Sequence, residues 1–169
     1  TDAKVPVADR PSDRAAIEVH DIGLEAVKND AGELGFRVSV GGGLGRTPIV
    51  GSFINEFLPW QHLLSYLDAI LRVYNRYGRR DNKFKARIKI LVKALTPEVF
   101  AERVDAEWAH LKDGPTTLTE DEVQRVSKFF IDPEYKALED QDAALAQLGA
   151  ENPGFARWRQ RNVVAHKKP

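Results

Sequence analysis

Gly35-Phe36-Arg37-Val38-Ser39-Val40-Gly41-Gly42-Gly43-Leu44-Gly45-Arg46-Thr47-Pro48 is the stretch from which the fold is read. Phe36, Val38 and Val40 alternate with Arg37 and Ser39, the period of two expected of a strand with one buried face. Three consecutive glycines follow, then Leu44, a fourth glycine and Arg46. Without Cβ atoms the backbone can take positive φ and come close to a flat or anionic ligand. A plain turn at a strand end would have the same composition. Neither common phosphate motif is complete. Arg46 stands where a dinucleotide fingerprint needs its third glycine, and no Gly-Lys-Ser/Thr follows. The stretch predicts a strand running into a ligand loop, for something other than an ordinary nucleotide.

On the N-terminal side, residues 16–27 also alternate, with a kink near Gly23. A polar turn at 29–33 separates them from the glycine-loop strand, which predicts an antiparallel hairpin. His20-Asp21 falls where the first strand breaks. It is either a polarised histidine beside a site or a capped strand end with a solvated histidine. The second is favoured, because no other histidine or hydroxyl lies at useful spacing. Residues 1–14 carry prolines among polar residues and read as an extended lead-in.

On the C-terminal side, Phe53, Ile54, Phe57 and Leu58 form an apolar cluster. Pro59 opens a helix with Leu63, Leu67, Ile70, Leu71 and Tyr74 on one stripe, and Gly78 is placed to end it at C′. The run from Arg79 to Lys93 holds only Asp81 against many cations. It predicts a helix capped by Asp81, with Ala86, Ile90 and Ala94 facing inward. Such runs are usually solvated helix faces. In a chain of zero net charge, however, this one concentrates cations a single helix away from the glycine loop, which suggests a polyanionic ligand. Thr96-Pro97-Glu98 starts a further helix with Val99, Phe100, Val104 and Trp108 inward, stopped at 113–115. Thr119 to Glu122 is a capping box for another helix carrying Val123, Val126, Phe129 and Phe130. Residues 131–141 read as loop, and short helices follow near 142–148 and from Pro153.

The chain has 169 residues, 25 basic and 25 acidic, and no cysteine or methionine. It is long enough for one domain with a real core. Its balance gives no global argument for nucleic acid, and no run suits a membrane span or signal peptide. It can supply no disulfide, zinc-thiolate or iron–sulfur ligand. The missing methionine suggests an excised or processed piece, and a soluble cytoplasmic origin is the default expectation.

Three blocks in order carry a family resemblance. They are His20-Asp21-Ile22-Gly23-Leu24, then Gly35 to Gly45, then Tyr77-Gly78-Arg79-Arg80-Asp81-Asn82-Lys83-Phe84-Lys85-Ala86-Arg87-Ile88-Lys89. The chain resembles the siroheme-dependent nitrite and sulfite reductases from about residue 13 to 108, and more loosely beyond. The resemblance implies an enzyme with siroheme, an iron tetrapyrrole rimmed by carboxylates, coupled to a 4Fe-4S cluster. Such enzymes make six-electron reductions of sulfite to sulfide or nitrite to ammonia, with a flavoprotein or ferredoxin as electron donor. Gly41, Gly42 and Gly43 match the loop beside the macrocycle. Arg80, Asn82, Arg87 and Lys89 match the basic block that faces its carboxylates, and arginine forks suit that role. The family's cluster cysteines have no counterpart here. Of its Arg-Lys-Phe-Lys signature, Lys4 is the one stand-in, without matching neighbours.

The resulting expectation is an α+β fold, with a small, mainly antiparallel sheet built from residues 16–27 and 35–40. Helices over 60–77, 82–95 and 97–112 cover it, and a helical tail follows. Residues 1–14 are a lead-in, 15–113 one reductase-type repeat and 114–169 a connector toward a second repeat. The isolated chain is expected to fold, to bind no cofactor, to be inactive and to self-associate, with no nucleic acid or membrane as partner. Two rival classes remain. One is a nucleic-acid-binding module using 79–93 with Tyr77 and Phe84 as stacking partners. The other is a protein-interaction domain.

Overall fold

The computed structural model describes residues 7–8, 15–131, 133–134 and 142–164. Apart from the backbone of 7–8, the expected lead-in, including Lys4, lies outside the described residues, as does most of the 131–141 loop. The chain divides into two units, residues 1–129 and 130–169.

The first unit is α+β. Its sheet has the order β1 (Val7–Ala8), β2 (Ile22–Lys28), β3 (Leu34–Val40), β4 (Ser52–Pro59). β1 is parallel to β2, and the other pairings are antiparallel. The hairpin register places Ile22 opposite Val40 and Leu24 opposite Val38, and all four side chains are in the core. Glu25 opposite Arg37 lies on the other face by the same period.

The first strand is shorter than its alternation predicts. Ala16 takes the left-handed region at φ 51°, and Ile17–Val19 form a 3-10 turn. That turn lies on the sheet, since a Cβ on Gly23 would be 2.5 Å from the Ile17 carbonyl and from Ser39 Oγ. Gly23 therefore sits inside β2 as a point of close approach, and the break falls before it. β4, read from sequence as an apolar cluster, is a strand hidden by two irregularities. Phe36 pairs with Leu58, Val38 with Asn55 and Ser39 with Phe53, so β4 spends an extra residue in each interval. Each extra residue shifts the side-chain alternation, and the period of two vanishes from the sequence.

A 3-10 turn at Trp60–His62 leads into α1 (Leu63–Tyr77), which buries Tyr66, Ala69, Ile70 and Val73 and leaves the predicted Leu71 exposed. Gly78 ends α1 in an extended conformation at φ −68°, not the left-handed one. It is needed for space, because a Cβ there would press on the Tyr74 ring at 2.7 Å. α2 (Ile88–Leu95) starts six residues later than the Asn82 boundary read from sequence. Asp81 binds Arg79 and does not cap α2; Asn82 Oδ1 accepts from Phe84 N; and Arg87, extended at φ −137°, precedes the helix. The inward residues are Ile88, Leu91 and Val92, one register away from those predicted.

α3 (Pro97–Trp108) begins at proline and buries Phe100 and Val104. It is tied to α1 by Tyr66 O–H donating to Asp105 at 3.1 Å and Trp108 Nε1–H donating to Ser65 Oγ at 3.0 Å. Burial, and then the Asp105 charge, push the Tyr66 phenol well above its ordinary range. α4 (Glu120–Ser127) is capped by Thr119, whose hydroxyl accepts from Glu122 N. It buries nothing, and Phe129 and Phe130 beyond its end are exposed. In the second unit, α5 (Asp142–Glu151) and α6 (Pro153–Asn162) form a hairpin. Asn152 caps α6, and Phe155 stacks on Trp158.

Candidate functional site: the glycine loop and the start of α2

The site is assembled from three segments: residues 18–21 leading into β2, the loop after β3, and the start of α2. The three consecutive glycines are buried, and the exposed tip is 44–48, which includes Gly45. The triglycine is therefore packed backbone that carries a small two-stranded arm. Gly43 N–H donates to the Ile49 carbonyl at 2.9 Å, and Ile49 N–H donates back at 3.0 Å.

Each glycine answers a different demand. Gly41 takes φ 80°, with Val92 of α2 directly against it at 3.0 Å from a would-be Cβ. Gly42 does not have the positive φ that its neighbours suggest. It lies on the carbonyls of Glu18 and His20, and a side chain there would collide with both. Gly43 faces the cations: a Cβ would be 3.1 Å from Lys89 Cδ and 3.5 Å from both Arg87 Nη2 and Lys89 Nζ.

Arg87 and Lys89 are thus brought to the loop from more than forty positions away in sequence. Arg87 grips Asp21, with Nη2 at 2.9 Å from both carboxylate oxygens and Nε at 3.1 Å from one. Asp21 is 5 % exposed. Its backbone carbonyl also accepts from Gly41 N–H at 3.0 Å, so this residue joins the loop to α2 through both its main chain and its side chain. Lys89 is 8 % exposed and donates from Nζ to the Thr47 carbonyl at 2.8 Å, which ties down the loop tip. A groove of ≈ 450 Å³ opens beside these residues, walled by Val40, Gly41, Ile49, Lys89, Val92 and Thr96. Its volume falls in the range of small-ligand clefts.

Arg80 and Asn82 are placed differently. Arg80 lies over the Tyr74 ring at 4.5 Å and donates to Asn75 Oδ1 at 2.9 Å, and Asn82 caps the exposed turn that follows. Their described contacts are with α1 and that turn. Five of the seven residues predicted for the cofactor (Gly41, Gly42, Gly43, Arg87 and Lys89) converge, therefore, and these two do not join them. His20 is half-buried, its Nε2 3.1 Å from the Ala15 carbonyl. Asp21 is the residue that sequence reasoning undervalued. Its signal was a carboxylate opening a strand whose next residues, Ile22 and Leu24, are core, a position where a charge persists only with a partner.

Such an arrangement can hold an anion. Two cations stand against the bare backbone of Gly43, and Arg87 keeps Nη1 without a hydrogen-bond partner among the described residues. Residues 3–112 match the family model described as the nitrite and sulphite reductase 4Fe-4S domain. The sulfite reductase (NADPH) hemoprotein beta-component of Staphylococcus haemolyticus is 32% identical over 109 residues, 60% of this chain and 19% of that protein. Sulfite reductase (ferredoxin) 1 of Mycolicibacterium paratuberculosis is 31% identical over 100 residues, 58% of this chain and 18% of that protein. The structure of the Mycobacterium tuberculosis NirA protein superposes with a TM-score of 0.52 at 29% identity, over 58% of this chain and 18% of that one. The chain spans about a fifth of the length of these relatives. It belongs to the nitrite and sulphite reductase 4Fe-4S domain family.

Proposed function

We propose that this chain supplies the glycine loop and a cationic wall of the siroheme site in a cytoplasmic sulfite or nitrite reductase. The observation that carries the proposal is that Arg87 and Lys89 lie against the bare backbone of Gly43, with Arg87 Nη1 unbonded among the described residues while Nη2 is taken by Asp21 and Lys89 Nζ by the Thr47 carbonyl. A tetrapyrrole rimmed with carboxylates suits both parts: bare backbone for the flat ring, and a guanidinium and an ammonium for the acid groups. With no cysteine in the chain, thiolate ligands for iron come from elsewhere in the enzyme. When bound, siroheme coupled to a four-iron cluster supplies electrons to the oxyanion substrate. The residues here bind and orient: Arg87 and Lys89 neutralise acid groups, and Lys89 holds the loop tip through Thr47. Sulfite is favoured as substrate because the relatives' names specify it, and those names give NADPH in one case and ferredoxin in the other as the source of electrons.

The basic run is a poor nucleic-acid stripe once folded, since Arg79 is paired with Asp81 and the chain as a whole has no excess of cations. The test is siroheme content in a full-length reductase carrying this segment. Arg87→Ala, purified folded, is expected to hold much less siroheme than the parent protein, and normal content would sink the proposal. The isolated chain is expected to be folded, colourless and inactive, and to self-associate through exposed Leu44 and Val50.

A further inference from the structure

We propose that Asp21 is a positioning residue for the site, fixing which edge of Arg87 meets an anionic group. The inference rests on the siroheme assignment above and adds a residue and a role to it. The carboxylate occupies Nε and both contacts of Nη2, so the guanidinium is held in one plane with Nη1 as its remaining edge. An unclamped arginine side chain at this exposure would sample several rotamers and lose that orientation on binding. The clamp is rigid for two reasons. Asp21 is buried, and its own carbonyl is bonded to Gly41 N–H. The residue that aims the cation thus also sets the start of the glycine loop. Neither Ile22 nor Leu24, its neighbours in β2, could do this, and no other carboxylate among the described residues bonds to Arg87. The pair also cancels one positive charge beside Lys89, so two close cations persist without mutual repulsion dominating.

The test uses a full-length, siroheme-loaded reductase carrying this segment, with Asp21→Asn, Asp21→Glu, Arg87→Lys and the double variant Asp21→Asn/Arg87→Lys. Glu25→Gln, which breaks an ion pair on the opposite face of the sheet, is the control. Siroheme per folded protein is read from visible absorbance, and folding from the cooperativity of the apoprotein melt. Asp21→Asn is expected to lose roughly 10-fold in siroheme affinity, the lower end of what partners of ligand-holding side chains are worth. Its absorption band should shift, and its melt should stay cooperative. Asp21→Glu should recover part of the loss. The double variant should lose less than the product of the single losses, because both changes remove one interaction. If Arg87→Lys weakens siroheme binding while Asp21→Asn matches the control, the positioning role is wrong and the siroheme site stands. If all variants bind siroheme normally, the siroheme assignment itself fails. Should Asp21→Asn not melt cooperatively, Asp21→Ser takes its place: a folded Asp21→Ser with unchanged affinity and band position overturns the proposal.

Discussion

Two arginine–carboxylate groups hang on the same β-hairpin and differ in almost everything but bond length. Arg87 holds Asp21 at 2.9 Å, with side-chain exposures of 35% and 7%. Arg37 holds Glu25 at 2.9 Å and Glu56 at 2.7 Å, with exposures of 33%, 39% and 72%. The Arg37 group is a cross-strand ladder on the sheet face away from the core, its members already aligned by register. The Arg87 group joins residues 66 positions apart where β2, the glycine loop and α2 meet. Distance alone would rank the two as equals. Burial ranks them far apart, because water can replace a lost partner at Arg37 and cannot at Asp21.

The largest expected effect tests that ranking and its asymmetry. Arg87→Ala strands the buried Asp21 carboxylate and should destabilise this chain by about 3–5 kcal/mol. Asp21→Ala strands a cation that still reaches solvent and should cost clearly less. Urea melts of both variants check the order. An Arg87→Ala loss no bigger than that of Arg37→Ala would end the contrast between the two groups.

Gly42→Val comes next. The side chain would run into main-chain carbonyls of Glu18 and His20, atoms that move only if the whole turn before β2 moves. Overpacking of this kind costs about 1–3 kcal/mol. From sequence, Gly42→Val is expected to harm ligand binding more than folding, and the packing against these carbonyls adds a folding cost to that expectation. Gly43 is the glycine that faces the cations, and Gly42 holds the turn that carries Asp21. A thermal melt of Gly42→Val matching the parent chain would show that the turn can yield.

How legible all this was follows from periodicity. The hairpin was readable because Phe36, Val38 and Val40 keep strict alternation and the 29–33 turn is polar. α3 was readable from Pro97 and the Phe100–Val104 spacing. β4 was not, because its irregularities between Phe53 and Leu58 destroy the period of two by which a strand is read. The α2 boundary was misplaced because Asp81 has the chemistry of a cap and spends it on Arg79. Gly41, Gly43, Arg87 and Lys89 were legible as a candidate site through their residue types and the family blocks, and they lie together in the fold. Asp21 was visible but undervalued, since its partner lies on a different element and no local pattern names it.

The smallest effect is expected at the exposed end of the comparison. Glu56→Gln removes one charge from the Arg37 group and keeps its shape. Glu56 is the most exposed member, and Arg37 retains Glu25 and its place over the Phe53 ring at 3.9 Å. The Glu56 hydrogen bond is the leading cause that raises the Arg37 guanidinium above its usual value, but arginine stays charged at any pH where the chain is folded. The loss should therefore be below about 1 kcal/mol. It should also shrink as salt rises, because exposed charges are screened over roughly 10 Å at 0.1 M. Arg37→Ala should cost somewhat more, since it also uncovers Phe53. Urea melts of Glu56→Gln at low and high salt measure the difference directly. A salt-independent loss above about 2 kcal/mol would mean that the Arg37 group is shielded from water as well. Both faces of the hairpin would then have to be treated as interior.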